Sequence, residues 1–128
     1  MKLSEYFENA KGTGVLATAD ADGKVNLAIY ARPHFLDAND DETIAFIMAD
    51  RLCHANVQTN PHASYLFMEE GKDYLGKRLT LSMVKEETDP EKIRSVRRRQ
   101  LPCECEEGTT RFLVYFRVDG VRPLIGTD

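Results

Sequence analysis

Short apolar runs separated by turn-forming residues constrain the fold of this chain more than any other feature of its sequence. Each run is followed by a turn or a polar segment rich in Asp, Glu, Gly or Pro. Runs of this length with turn chemistry between them are typical of β-strands. They span residues 14–18, 25–35, 43–49, 63–68, 78–85 and 112–118.

The second run has two faces of different character, because side chains alternate along a strand. One face carries four aliphatic side chains, Val25, Leu27, Ile29 and Ala31. The other face carries smaller or polar ones, Asn26, Ala28, Tyr30 and Arg32. The strand is therefore expected to present different chemistry to its two sides.

Three helices are predicted, one before the first strand at residues 4–11 and two between later strands at residues 53–59 and 90 to about 99. Ser4 is the expected N-cap of the first helix, and Asp89-Pro90 marks the start of the third. These helices are inserted among the strands and do not alternate with them. The sequence therefore predicts one domain over residues 1–128, a mainly β, six-stranded antiparallel barrel with inserted helices.

Charge and composition exclude several classes of function. Seventeen basic and twenty-one acidic residues give a net charge of −4, and the basic run at Arg97–Arg99 lies among glutamates, so nucleic-acid binding is not expected. No apolar stretch approaches the ~20 residues that span a membrane, and no signal peptide is expected. Three cysteines (Cys53, Cys103, Cys105) and scattered histidines predict free thiols, no metal site and a cytoplasmic protein.

The exit of the third predicted strand is the strongest candidate for a binding site. It leads directly into a helix, whose first N–H groups and positive dipole end attract anions. Arg51 and His54 add donors of the right sign, and Cys53 lies in the first turn. A phosphate group suits this arrangement, although many helices begin with such residues and bind nothing.

Two other strands could complete such a site. The small residues beside Tyr30 and Arg32 leave room for a flat ring against the backbone. The alternative is that Ala28 serves only for packing within the fold and that Arg32 forms an ion pair with an acidic residue. Arg78 opens a strand whose polar face lines either a cleft or a solvated rim. The sequence contains no phosphate-binding glycine loop and no nucleophile motif, so nucleophilic catalysis has no support.

Four stretches of the chain carry a resemblance to a known family. They are residues 14–18, 31–35, 46–51 and 55–63, followed by Leu66-Phe67. In this order they resemble the pyridoxamine 5′-phosphate oxidase-like flavoproteins, which are FMN-binding split barrels. The most specific part is the helix that ends at Asn60-Pro61 and leads directly into a strand.

The resemblance implies a split-barrel homodimer with two FMN molecules in its interface. The second strand would lie along the flavin and ribityl chain, and the end of the third would offer backbone groups to the ring. The turn after it would hold the phosphate, and the start of the fifth strand would reach the ring from the partner subunit. The implied cofactor-binding residues are Ala28, Ile29, Tyr30, Ala31, Arg32, Phe46, Ile47, Met48, Arg51, Cys53, His54, Lys77 and Arg78.

Two departures limit what the resemblance implies. Many relatives have a lysine in the phosphate turn, so Arg51, His54 or Arg32 would have to replace it here. The chain has no Trp and lacks the C-terminal extension that holds substrate in true pyridoxamine phosphate oxidases, so the vitamin B6 reaction is not expected.

The sequence therefore predicts a small FMN-binding protein that is an oxidoreductase or an electron carrier of undetermined substrate. Two alternatives stay open. The barrel could be a non-catalytic module for another planar ligand such as haem, with His34, His54 or His62 as an axial ligand. It could also be a nitroreductase-like enzyme of the same fold.

Overall fold

The fold was described from a computed structural model, which describes residues 2–37, 39–96 and 110–126. The elements in chain order are α1 (Leu3–Asn9), β1 (Gly12–Ala19), β2 (Val25–Ile29), β3 (Thr43–Ala49), α2 (Leu52–Thr59), β4 (His62–Glu69), β5 (Gly76–Glu87), α3 (Pro90–Val96) and β6 (Arg111–Pro123). No helix in these parts of the chain has the length and apolar character needed to cross a membrane.

The strands form one curved antiparallel sheet in the order β2-β1-β4-β5-β6-β3. Strands β2 and β3 are its two edges. The segment that follows β2 carries the chain across to β3, where His34 and Ala45 exchange two backbone hydrogen bonds of 2.9 Å. This contact brings the two edges together, and the predicted mainly β, six-stranded antiparallel barrel is confirmed.

The prediction that β2 continues to residue 35 is wrong, because the strand ends at Ile29 and the chain leaves β1 after a last backbone hydrogen bond from Tyr30 to Gly14. The hydroxyl of Tyr65 donates to the carbonyl oxygens of Tyr30 and Ala31, at 3.3 and 3.1 Å. Tyr65 reaches them by lying over Gly14, where a Cβ atom would stand 1.9 Å from its hydroxyl oxygen. The close approach allowed by Gly14 thus ends the strand and turns the chain toward β3.

The barrel interior is filled by aromatic and aliphatic side chains from every strand except β2. The largest fully buried ones are Tyr65, Phe46, Phe67, Phe116, Leu16, Ile44, Met48, Leu79, Leu81 and Val114, together with Phe7 of α1. A second, smaller cluster lies on the outer side of β3 and β6, where Ile93 of α3 packs on Ala45 and Tyr115. Strand β3 is therefore covered on both faces, as its continuous apolar sequence predicts.

Strand β2 turns its aliphatic face away from the barrel. Val25, Leu27 and Ile29 are 70%, 67% and 72% exposed, while Asn26 and Ala28 are half-buried on the inner face. The registers place further uncharged side chains beside this row on β1 and β4. We call this surface the outer sheet face, and it consists of Val15, Val25, Leu27, Ile29, Leu66 and Met68.

The start of α1 is held by a residue distant in sequence. Its N-cap is Lys2 and not the predicted Ser4, because the carboxylate of Asp41 accepts hydrogen bonds from the N–H groups of Leu3 and Ser4, at 2.7 and 2.9 Å. The helix ends at Asn9, two residues earlier than predicted. A distant carboxylate therefore replaces the local cap that the sequence favours.

Helix α3 begins at Pro90, as predicted, and buries Ile93. The expected extension to residue 99 lies outside the described residues, together with Arg97–Arg99, Cys103 and Cys105. Strands β5 and β6 are longer than predicted and pair with each other from Lys77↔Pro123 to Glu87↔Leu113.

Candidate functional site

The turn between β3 and α2 presents an open helix N-terminus. Arg51 is the N-cap, with extended backbone, and no side chain caps the helix. Within the described residues, the N–H groups of Leu52, Cys53 and His54 meet no acceptor. Three unsatisfied donors at the positive end of a helix dipole form a favourable place for an anion.

Two arginines lie beside this turn. The exposed side chain of Arg51 makes no hydrogen bond or ion pair with any residue that the structure describes. Arg111 is the cross-strand partner of Ala49 and has interactions of its own. Arg111 was not predictable as a site residue, since only the β3–β6 register places it next to a turn sixty residues earlier.

The side chain of His54 is engaged by residues of β5, β6 and its own helix. Its ring stacks on Phe112 with 3.6 Å between the centroids, and its Nε2 lies 3.0 Å from Oε1 of Glu86. Gln58 donates to the same carboxylate oxygen at 2.8 Å, and Oδ1 of Asp50 lies 3.9 Å from Nδ1 of His54. His54 is buried, and its ring lies between the carboxylates of Asp50 and Glu86.

Cys53 joins α2 to the inner face of β2. Its buried sulfur accepts a hydrogen bond from the side chain of Asn26 at 3.4 Å and lies against the hydroxyl of Tyr30. Burial raises the pKa of Tyr30 far above its usual value, and the neighbouring Cys53 sulfur raises it further. Tyr30 therefore stays a neutral hydrogen-bonding group under ordinary conditions.

The third strand contributes backbone groups at its free edge. The side chains of Phe46 and Met48 are 1% and 0% exposed and fill the core, so the groups they offer at this edge belong to the backbone. Ala45 directs its N–H and carbonyl groups away from β6, toward His34, and Ile47 has the same orientation two residues later. Ile47 finds no backbone partner on that side in the described residues, which leaves one donor and one acceptor available.

Three other predicted site residues, Arg32, Lys77 and Arg78, lie apart from α2 within one chain. Nη1 of Arg32 donates to three carbonyl groups at the end of α1, at 2.7 to 3.1 Å. Lys77 lies over the ring of Tyr6, 4.6 Å from its centroid, and Nε of Arg78 donates to the carbonyl of Pro123 at 2.8 Å. Lys77 and Arg78 open β5, whereas α2 adjoins the other end of that strand through Glu86.

A separate cavity of about 350 Å³ lies beside the outer side of β3. Its lining contains no residue of the α2 turn. The lining residues are His34, Leu36, Asp37, Asp40, Thr43, Ile44, Ala45, Val84, Lys85 and Tyr115. In the described part of the chain, no three His, Cys, Asp or Glu side chains come close enough to hold a metal ion.

Solved structures share this architecture. An FMN-binding protein from Syntrophomonas wolfei subsp. wolfei matches with a TM-score of 0.75 and 15% identity, over 99% of this chain and 86% of that chain. An F420 reductase matches with a TM-score of 0.67 and 14% identity, over 95% and 98%. A protein assigned as a pyridoxamine 5′-phosphate oxidase from Lactobacillus delbrueckii matches with a TM-score of 0.66 and 16% identity, over 94% and 93%.

No protein-family model matches the chain, and no curated protein sequence matches it. The structural matches cover nearly the whole chain at low identity, which shows a shared fold. The split barrel predicted from the resemblance is therefore confirmed.

Proposed function

We propose that this split barrel binds FMN, with the phosphate at the N-terminus of α2 and the ring at the free edge of β3. The observation that carries the proposal is the open first turn of α2 beside Arg51, whose side chain meets no partner among the described residues. A phosphate is a strong acceptor for backbone N–H groups and for a guanidinium group. The fold shared with an FMN-binding protein supports this assignment.

The residues present fit a flavin in three places. The first turn of α2 and Arg51 suit the phosphate. The free N–H and carbonyl groups of Ile47 match the alternating acceptors and donors at the edge of an isoalloxazine ring. Asn26 and Ala28 provide a surface of short side chains next to Tyr30, against which a flat ring and its ribityl chain can lie.

When bound, FMN would supply the redox chemistry, and the protein would supply binding and orientation. Arg51 would neutralise charge at one end of the cofactor, and the backbone of Ile47 would fix the ring at the other. Tyr30, kept protonated by its surroundings, would donate or accept a hydrogen bond without changing charge. An oxidoreductase or electron-carrier role in the cytoplasm is the activity that we propose for this arrangement.

A homodimer would account for the outer sheet face. Its row of Val25, Leu27 and Ile29 is mostly exposed in the single chain, and its six side chains carry no charge. A two-fold interface is built from the same patch on both subunits, so an uncharged apolar patch is complementary to itself. Lys77 and Arg78 could then approach a flavin held by the other chain.

The test is an absorption spectrum of the purified protein followed by titration with FMN. We expect a flavin spectrum or saturable FMN binding, weakened about ten- to a hundredfold by Arg51→Ala, because a charge-assisted hydrogen bond is worth about 1.5–3 kcal/mol. Arg94→Ala is the matched control, since Arg94 is exposed on α3.

Three results would contradict the proposal. One is the absence of any flavin binding, and another is an equal effect of the two arginine substitutions on FMN affinity. A haem Soret band in the protein as isolated would instead support a module for a different planar ligand. If FMN binds, turnover of nitroaromatic compounds with a reduced nicotinamide would identify a nitroreductase-like activity.

A further inference from the structure

The side chain of Tyr30 connects the end of β2 with β3 and α2 on the inner side of the barrel. Its residue follows β2 directly, and its N–H group donates to the carbonyl of Gly14 at 3.0 Å. Its ring meets the ring of Phe46 in β3 edge-on, with 5.7 Å between the centroids and an interplanar angle of 82°. Its hydroxyl lies against the sulfur of Cys53 in the first turn of α2. Because β2 and β3 are the two edges of the sheet, the Tyr30 side chain crosses the space between them.

The sulfur of Cys53 is a shared contact for two side chains of the β2 segment. It accepts a hydrogen bond from the side-chain amide of Asn26 at 3.4 Å and lies against the Tyr30 hydroxyl. Cys53 is 5% exposed, whereas Asn26 and Tyr30 are half-buried. The sulfur therefore lies deeper than these two side chains, which keep accessible surface of their own. A ligand on the inner face of β2 meets Asn26 and Tyr30 and not the sulfur behind them.

The contact with Cys53 determines which hydrogen-bonding group Tyr30 offers to a ligand. A phenol has one O–H donor, and its oxygen can accept further hydrogen bonds. Burial raises the pKa of Tyr30, and the neighbouring sulfur raises it further, so the phenol keeps its proton. With that proton directed at the sulfur, the oxygen remains as an acceptor. Hydroxyl groups are donors that suit this oxygen, and FMN carries them on its ribityl chain.

We infer that Cys53 is a positioning residue of the proposed flavin site, which acts on the ligand through Tyr30 and Asn26 and does not touch it. The inference rests on the proposed function. The sulfur holds the Tyr30 hydroxyl as an acceptor for the ribityl chain before the flavin binds. A side chain that is already fixed loses less conformational entropy on binding than one that is free to rotate. Since Cys53 lies in the first turn of α2, it also keeps this acceptor in a fixed place relative to the proposed phosphate position.

The experiment measures FMN affinity by quenching of flavin fluorescence in the wild-type protein and its variants. Cys53→Val removes the sulfur at similar volume and should weaken FMN binding about two- to tenfold, the value of one hydrogen bond. Cys53→Ser keeps a group that can accept from Tyr30 and should bind FMN within about twofold of the wild type. Tyr30→Phe should match the loss in Cys53→Val, and the double variant should lose no more than either single variant.

Tyr115→Phe is the matched control for the loss of a tyrosine hydroxyl. The hydroxyl of Tyr115 donates to Glu87 at 3.0 Å, and its ring belongs to the cluster on the outer side of β3 and β6. Its removal should therefore leave FMN affinity unchanged.

The outcomes separate this inference from the proposed function. Losses that multiply in the double variant would show that Cys53 and Tyr30 act independently and would overturn the inference. Equal losses in Cys53→Ser and Cys53→Val would make the effect one of packing alone and overturn it as well. Unchanged FMN affinity in Tyr30→Phe would also overturn it, and that variant decides the question if Cys53→Val does not fold. In each of these cases a lower affinity of Arg51→Ala leaves the proposed function standing, whereas absence of FMN binding by the wild type would overturn both.

Discussion

Replacement of Leu27 by serine tests whether the outer sheet face is the contact between two copies of the chain. Leu27 lies at the centre of the exposed row on β2, and 67% of its surface is exposed in the single chain. Burial of a whole leucine side chain is worth about 1.5–3 kcal/mol, so covering this exposed part is worth about 1–2 kcal/mol. A two-fold interface contains the residue twice, which gives about 2–4 kcal/mol per dimer.

Since about 1.4 kcal/mol changes an equilibrium constant tenfold, Leu27→Ser should raise the dimer Kd by a factor of about 30 to 800. Sedimentation velocity over a concentration series measures this Kd directly. The free energy of unfolding of the monomer should change little, because an exposed side chain contributes little to the core.

Val84→Ser is the matched control for this substitution. Val84 is 56% exposed and lies outside the outer sheet face, so its replacement should leave the Kd unchanged. A wild-type protein that stays monomeric at high micromolar concentration would refute the dimer. Equal effects of the two substitutions would show that the contact lies on another surface.

Two further predictions concern the ends of α1. Arg32→Met should lower the free energy of unfolding by about 1.5–3 kcal/mol in urea titrations, because the charged guanidinium group donates to three carbonyl groups at the end of α1. A change below about 0.5 kcal/mol would mean that these hydrogen bonds do not stabilise the helix end. Burial opposes the ionisation of Asp41, but the hydrogen bonds from the N–H groups of α1 outweigh it and hold the pKa of Asp41 below its usual value. A carboxyl with a lowered folded pKa stabilises the fold above about pH 4, and this stabilisation is lost as the pH falls through the folded pKa. Urea titrations at pH 6 and pH 3 should therefore show a smaller loss of stability in Asp41→Asn than in the wild type, and equal losses would contradict this role for Asp41.

The strands were predictable because their apolar patterns and turn residues are local. Strand β3 matches its predicted limits, and β5 buries Leu79 and Leu81 on the face opposite its polar side chains. The end of β2 was not predictable, since it depends on Tyr65 lying over Gly14, fifty-one residues earlier in the chain. Long-range side-chain contacts of this kind leave no signal in the sequence of the strand itself.

The candidate site was predictable in place but not in detail. A helix N-terminus after a buried strand can be predicted from sequence, and Arg51 lies there with no side-chain partner in the part of the chain that the structure describes. The contact between His54 and Glu86 depends on how α2 packs beside β5, and these two residues are thirty-two positions apart in the sequence. The same limit applies to Arg32, whose partners are backbone carbonyl groups of α1 and carry no residue-specific signal.

The contact between His34 and Ala45 is the most weakly hydrogen-bonded junction between described strands of the barrel. Two backbone hydrogen bonds at one isolated bridge hold these edges, whereas neighbouring strands elsewhere in the sheet are joined along their length by a ladder. Widening the barrel at this seam breaks these two backbone hydrogen bonds and leaves every ladder of the described sheet intact. Because Ile47 stands two residues along the same edge, a planar molecule that enters beside it meets the wall of the barrel where that wall opens with the least disruption.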